Sequence, residues 1–162
     1  MIEIGVIADT HKLLRPEVAA YLEGTELIIH AGDIGSPDII ATLEQIAPVL
    51  AIRGNIDRGS WAEAYPSTET VEVGSRRIYV LHNFHELRID PSQAGFDVVI
   101  SGHSHKPQIR REAGVLYINP GSAGPRRFTL PITVAKLSLT SNSVDARLLE
   151  VPGGEPTPRN RP

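Results

Sequence analysis

Cysteine is absent from the 162 residues. Its absence excludes disulfide bridges, thiolate-held iron–sulfur clusters and cysteine-type zinc knots. It fits either redox environment. Aromatic residues are scarce, at 5% with a single tryptophan, which argues against a stacking platform for single-stranded nucleic acid. No run of about 18 apolar residues exists, so no spanning helix is expected. The start, Met1-Ile2-Glu3-Ile4, has neither a basic region nor a small-residue cleavage site. The expectation is a cytoplasmic protein with no membrane partner. Charge of one sign is also lacking: 16 Lys+Arg against 19 Asp+Glu give −3. Stable, sequence-independent binding of nucleic acid is therefore not expected.

What remains is an ordinary globule, 41% hydrophobic and 22% charged. A chain of this length buries roughly 70% of its unfolded surface and needs no staples. The domain is expected to span residues 1–151. Residues 152–162 hold four prolines and two glycines and are read as a loosely draped tail. Short runs rich in Ile and Val predict strands at residues 2–8, 27–31, 48–53, 70–73, 76–81, 97–101, 115–118, 131–139 and 144–151. Helical spacing predicts helices over 15–23 and 38–46, the second with Ser36-Pro37 as cap and first-turn proline. Strand and helix alternate in the first half, which predicts parallel strands with crossovers. Short turns in the second half predict antiparallel hairpins. Together these give an α/β fold, a four-layer α-β-β-α sandwich of two mixed sheets with outer helices.

Chemistry-bearing residues fall where the strands end. Asp9 and His11 follow the first strand, Asp33 the second and Asn55 the third. His82 follows the strand at 76–81, and His103 and His105 follow the strand at 97–101. Sites in sheets with parallel strands collect at that carboxyl edge. In an extended segment residues two apart share a side, so Asp9 and His11, like His103 and His105, are expected to aim at one point. Two Asp, four His and one Asn are too many ligands for one tetrahedral zinc. They suit two divalent ions sharing a carboxylate, about 3.5–4 Å apart. Mixed imidazole and oxygen donors suit manganese, with nickel, cobalt, zinc or iron as alternatives, and suit magnesium or calcium poorly. Two dications against two carboxylates leave surplus positive charge, which suits a phosphate ester.

The set Asp9-Thr10-His11, Gly32-Asp33, Gly54-Asn55-Ile56-Asp57, His82, Gly102-His103-Ser104-His105 and Asn119-Pro120-Gly121-Ser122 resembles the calcineurin-like metallophosphoesterases. The similarity is to their small stand-alone bacterial and archaeal phosphodiesterase branch. The resemblance implies that Asp9, His11 and His105 hold one metal and that Asn55, His82 and His103 hold the other, with Asp33 bridging them. It implies a bridging hydroxide that attacks phosphorus in line, and a small phosphodiester as substrate. A phosphomonoesterase or nucleotide phosphatase is an alternative. So is a binding scaffold, since a eukaryotic retromer subunit resembles the same branch. Homo-oligomerisation is left open.

Two departures from the family pattern stand out. Many members carry a histidine directly after the Gly-Asn, where this chain has Ile56, which gives no proton; activated, aryl-type leaving groups are therefore expected. The family's His-Gly-His reads His82-Asn83-Phe84-His85 here, which makes His85 a candidate substrate contact or substitute proton donor. Arg126 and Arg127 are candidates to clamp phosphate. Asp57 is read as orienting a ligand histidine or the Asn55 loop, His30 as a buried hydrogen-bonded histidine and Arg53 as structural or as a support behind the ligands. Trp61 and Tyr65 are read as core residues or an oligomer contact, with a pocket wall as the alternative.

Overall fold

A computed structural model describes residues 1–152, so nearly all of the expected tail lies outside the described residues. The first half of the chain forms β1 (Ile2–Ile7), α1 (Pro16–Leu22), β2 (Leu27–His30), α2 (Pro37–Glu44) and β3 (Val49–Ala51). There follow β4 (Thr68–Val73), β5 (Arg76–Leu81), β6 (Val98–Ile100), β7 (Gln108–Glu112), β8 (Val115–Asn119), β9 (Thr133–Leu139) and β10 (Val144–Glu150). Single-turn 3-10 helices lie at Ser60–Ala64 and Phe84–Glu86. No described helix is long and apolar enough to cross a membrane.

The strands make two five-stranded sheets, ordered β10-β9-β1-β2-β3 and β4-β5-β6-β8-β7. Both are mixed, as the sequence predicts. In the first, β1, β2 and β3 run parallel and β9 returns antiparallel beside β1. The hairpin expectation for the second half needs correction. It holds for β4–β5, β7–β8 and β9–β10, but β5, β6 and β8 are mutually parallel. The long connections 82–97 and 101–114 allow this, because a parallel pair needs a crossover of a dozen or so residues. Strand β7 was not expected. Its sequence, Gln-Ile-Arg-Arg-Glu, is almost wholly polar because it is a sheet edge, where charge discourages further pairing.

Alternation sets the core. Ile4 and Val6 of β1, Ile29 of β2, Ile78 and Val80 of β5, Ile100 of β6 and Leu116 and Ile118 of β8 fill the space between the sheets. The opposite face of the first sheet, through Ile7 and Ile28, packs on Val18 and Leu22 of α1 and on Ile39, Ile40 and Leu43 of α2. Trp61 and Tyr65 pack against that second cluster. The outer face of the second sheet, Val99 and Val115, is covered by a thinner layer that includes Leu87. Ser36 caps α2, its hydroxyl accepting from the Asp38 N–H, with Pro37 in the first turn. The helices thus press on one sheet, and the carboxyl ends of β1, β2, β3, β5 and β6 are left to carry loops.

Ile100 is fully buried between the sheets. Ile100→Ala is expected to cost about 2–5 kcal/mol, from lost transfer energy and the cavity left behind. Urea denaturation midpoints check it.

Candidate metal centre

The loops after those strands do not continue the extended pattern. Asp9, His11, Asp33, His103 and His105 all have positive φ, between 48° and 72°. They are five of the eight non-glycine residues at positive φ among those described. The left-handed region costs roughly 1–2 kcal/mol per residue for L-amino acids, and such strain gathers at functional sites. The sequence expectation is corrected here: the i, i+2 pairs converge through repeated left-handed turns, not through strand alternation.

Convergence is nonetheless tight. Asp9 Oδ1 lies 4.0 Å from His11 Nε2, 3.8 Å from His82 Nε2 and 3.7 Å from His105 Nε2. Asp33 Oδ2 lies 3.5 Å from His11 Nε2 and 3.3 Å from His82 Nε2. Two groups of ligand atoms result, Asp9–His11–His105 and Asp9–Asp33–His82. Asp9 belongs to both, while Asp33 also stands between the imidazoles of His11 and His82. His103 is exposed at the rim. Its backbone N–H donates to Asp9 Oδ2 at 3.1 Å, and its ring centroid lies 5.2 Å from that of His82. Asn55 is exposed and lines a depression beside His82. His85 lies outside both groups and shares a cleft with His103.

Asp9 Oδ1, His11 Nε2 and His82 Nε2 are buried and lack hydrogen-bond partners. Buried polar atoms are normally paired, so three aimed at one volume need an occupant. Their separations exceed a hydrogen bond and approach the roughly 3–3.5 Å between ligands that share an ion at about 2.1 Å. The donor set therefore fits divalent cations. His82 is prepared for one: Nδ1–H donates to the Ala31 carbonyl at 2.8 Å, which leaves the Nε2 lone pair facing the cluster.

The charges agree. Burial pushes Asp9 up to about 7, the negative Asp33 adds to this, and His82 opposes it. Burial also pushes Asp33 up, but the His82 imidazole 3.3 Å away, with the Ile56 N–H, outweighs it and holds Asp33 down at about 2. Burial lowers His105 to about 4, helped by the Arg127 charge. The same charge acts on Asp9 and His11. The sequence offered Arg126 and Arg127 together; the field at the cluster comes from Arg127. Arg126 is half-buried.

A second ring of residues holds the loops. Asp57 accepts from the backbone N–H groups of Ile34, Gly35 and Gly54, at 2.8–3.0 Å. It ties the Asp33 loop to the Asn55 loop, one of its two expected roles. A Cβ on Gly54 would stand 2.2 Å from Asp33 Oδ1, so only glycine lets these loops meet. Asn119 Nδ2 donates to the Gly102 carbonyl and to Ser104 Oγ. Ser122 Oγ donates to the Asp9 carbonyl at 3.1 Å. The Asn-Pro-Gly-Ser segment thus clamps the Asp9 and His103–His105 loops. Arg53 donates to the Tyr65 carbonyl and is structural.

His30 is fully buried and not a ligand. The Gly32 N–H donates to His30 Nδ1, His30 Nε2–H donates to Thr10 Oγ1, and Thr10 donates to the Ile34 carbonyl. This chain requires neutral imidazole. The role of Thr10 was missed in the sequence, where nothing marks it except its place between two ligands.

The sequence model of the calcineurin-like phosphoesterase superfamily domain matches residues 2–142. The chain belongs to that superfamily, whose enzymes hydrolyse phosphate esters with divalent metals. A probable metallophosphoesterase of Methanothermobacter thermautotrophicus is 39% identical over 158 residues, covering 90% of this chain and 91% of its own. A phosphodiesterase of Methanocaldococcus jannaschii is 29% identical over 138 residues, covering 74% and 82%. The structure of an archaeal phosphodiesterase superposes with a TM-score of 0.79 at 25% identity, over 93% of this chain and all of that one. Vps29 of Chaetomium thermophilum shares the fold, with a TM-score of 0.75 at 19% identity over 93% of this chain and 97% of its own.

Two predictions follow from the supporting residues. Asp57→Ala leaves three backbone donors without their carboxylate and is expected to cost about 2–3 kcal/mol. It should also weaken metal binding roughly 10–100-fold. Urea midpoints and metal titration read the two effects separately. For His30, burial holds the folded pKa at about 3, well below the ordinary histidine value of 6.5. The unfolded chain therefore binds the proton first. Stability from this group is fully present above about pH 6.5 and is lost as pH falls toward 3. In chelator, the urea midpoint of the wild type should drop more steeply from pH 7 to pH 4.5 than that of His30→Gln. Equal slopes would count against it.

Proposed function

We propose that the chain is a dinuclear metal-dependent phosphodiesterase whose ions are held by Asp9, His11, Asp33, Asn55, His82, His103 and His105. The observation that carries this is the convergence of the three unpartnered buried atoms, Asp9 Oδ1, His11 Nε2 and His82 Nε2. Bound there, divalent ions would polarise the phosphoryl oxygens and supply a water nucleophile at neutral pH. Manganese is the first candidate, and nickel, cobalt, zinc and iron suit the same donors. Asp9 and Asp33 bring the negative charge that retains the cations. Arg127 adds a positive field that favours an anionic ester. Hydrolysis adds water across one P–O bond: that bond breaks, the departing oxygen takes a proton, and the other arm stays on phosphorus. Ile56, 44% exposed beside Asn55, has no proton to give. This favours aryl over alkyl leaving groups. His85 is the exposed imidazole of the adjoining cleft that is not assigned to a metal, and the candidate to supply that proton.

A diester panel with Mn, Ni, Co, Zn and Mg tests the reading. Asp33→Asn should lower both bound metal and kcat/KM, the latter by at least about 100-fold. Aryl diesters should be cleaved roughly 10²-fold or more faster than alkyl diesters. His85→Ala should slow the alkyl substrates more than the aryl ones. Equal aryl and alkyl rates would remove the leaving-group preference. A monoester of the same phenol cleaved faster than its diester would make the enzyme a monoesterase. Tightly bound metal without turnover of any ester would point to a scaffold.

A further inference from the structure

A phosphodiester carries two organic arms, and the metal centre is flanked by two unlike depressions that meet at Asn83. The one beside His82 is lined by Arg53, Ser67, Thr68 and Glu86, with no aromatic ring. The one beside His103 is a cleft of about 220 Å³ between the Asn83–His85 loop and strands β7 and β8. Its wall is aromatic. Phe84 meets Tyr117 edge-on, with centroids 5.8 Å apart. The Arg110 guanidinium lies 4.2 Å from the Tyr117 ring centroid and 5.4 Å from that of Phe84.

Arg110 is not set up to catch a second phosphate. Glu112 accepts from its Nη1 at 2.6 Å, so its charge is already balanced and its plane is held in place. A fixed, neutralised guanidinium over an aromatic pair presents flat surfaces to a flat ligand. Gln108 and Ser104 add polar groups around the cleft. The volume admits one ring system and not a length of strand. None of these residues belongs to the metal cluster, and the cleft opens beside His103, so an arm lying in it would leave phosphorus at the metals.

We propose that this cleft is the subsite for a planar aromatic arm of the ester, a nucleoside or aryl group, and that Arg110 and Tyr117 set specificity for it. The proposal deepens the phosphodiesterase reading and rests on it for the placement of phosphorus.

Phosphonates test it, because their P–C bond is not hydrolysed. Binding of methylphosphonate, phenylphosphonate and a nucleoside 5′-phosphonate to the full-length protein with Mn²⁺ is measured by calorimetry. The planar ligands should bind at least about tenfold more tightly than methylphosphonate. Phenylphosphonate against the nucleoside ligand tells an aryl site from a nucleoside site. Arg110→Ala and Tyr117→Leu should each bring the planar-to-methyl ratio to within about twofold of one. Arg111→Ala, on the same edge strand but paired with Asp145, should keep the wild-type ratio. Equal affinity for all three ligands in the wild type overturns the cleft proposal and leaves the metal centre standing. A planar preference that survives both cleft variants overturns it too. If no phosphonate binds and no ester is turned over, the phosphodiesterase reading fails first and takes this proposal with it.

Discussion

A carboxylate with no exposed surface is the constraint around which the loops are arranged. Asp9 is wholly buried at the end of the first strand, and burial works against its ionised form. Asp33, itself a buried carboxylate, stands on the far side of His11 and His82. Two such groups in one dry volume repel; His82, which burial lowers but the two carboxylates raise on balance, relieves part of that, and His11, lowered by burial, relieves little. Divalent cations do relieve it, because each brings two positive charges to oxygens that water no longer reaches. The same desolvation that makes the apo cluster uncomfortable makes it a tight cation site.

Holding that arrangement requires the backbone to take conformations that its residues resist. The strain at Asp9, His11, Asp33, His103 and His105 is spread over three loops from two sheets. Each loop is clamped by residues outside the two ligand groups. Asp57 fastens the Asp33 loop to the Asn55 loop, Ser122 fastens the Asp9 loop, and Asn119 fastens the His103–His105 loop. Much of the protein's polar bonding is thus spent on aiming. The packed sheets give these clamps a rigid base, with Ile29, Ile100 and Ile118 fully or almost fully out of water just behind the ligands.

Much of this was legible in the sequence, for physical reasons. Buried strands must be apolar, so the runs around Ile4, Ile28 and Val98 announced themselves. Ligand chemistry needs particular side chains, so the Asp and His residues at strand ends did too. His30 could be separated from the ligands because it sits within an apolar strand. What was hidden is what depends on partners distant in the chain. Strand β7 is polar because it is an edge, and polarity alone does not say strand. The left-handed turn at Asp9 has no adjacent glycine to mark it, and Gly102 marks a bend before His103 without showing that His103 itself turns left-handed. Arg127 and Arg126 are identical in type and adjacent, and only the folded loop decides which one's charge reaches the cluster. The aromatic cleft draws on Phe84, Arg110 and Tyr117, three segments with no shared motif.

The cost of the site also ties metal retention to folding. Strained loops, orphaned buried atoms and a carboxylate pushed to about 7 all weigh against the apo fold. A cation that binds only the native arrangement removes several of these costs at once and shifts the folding equilibrium by mass action. Stability and activity then draw on the same contacts. Asp57 and His30 lie outside the two ligand groups, yet their hydrogen bonds hold the loops that carry those groups. The cage is prepared by ordinary hydrogen bonds between loops.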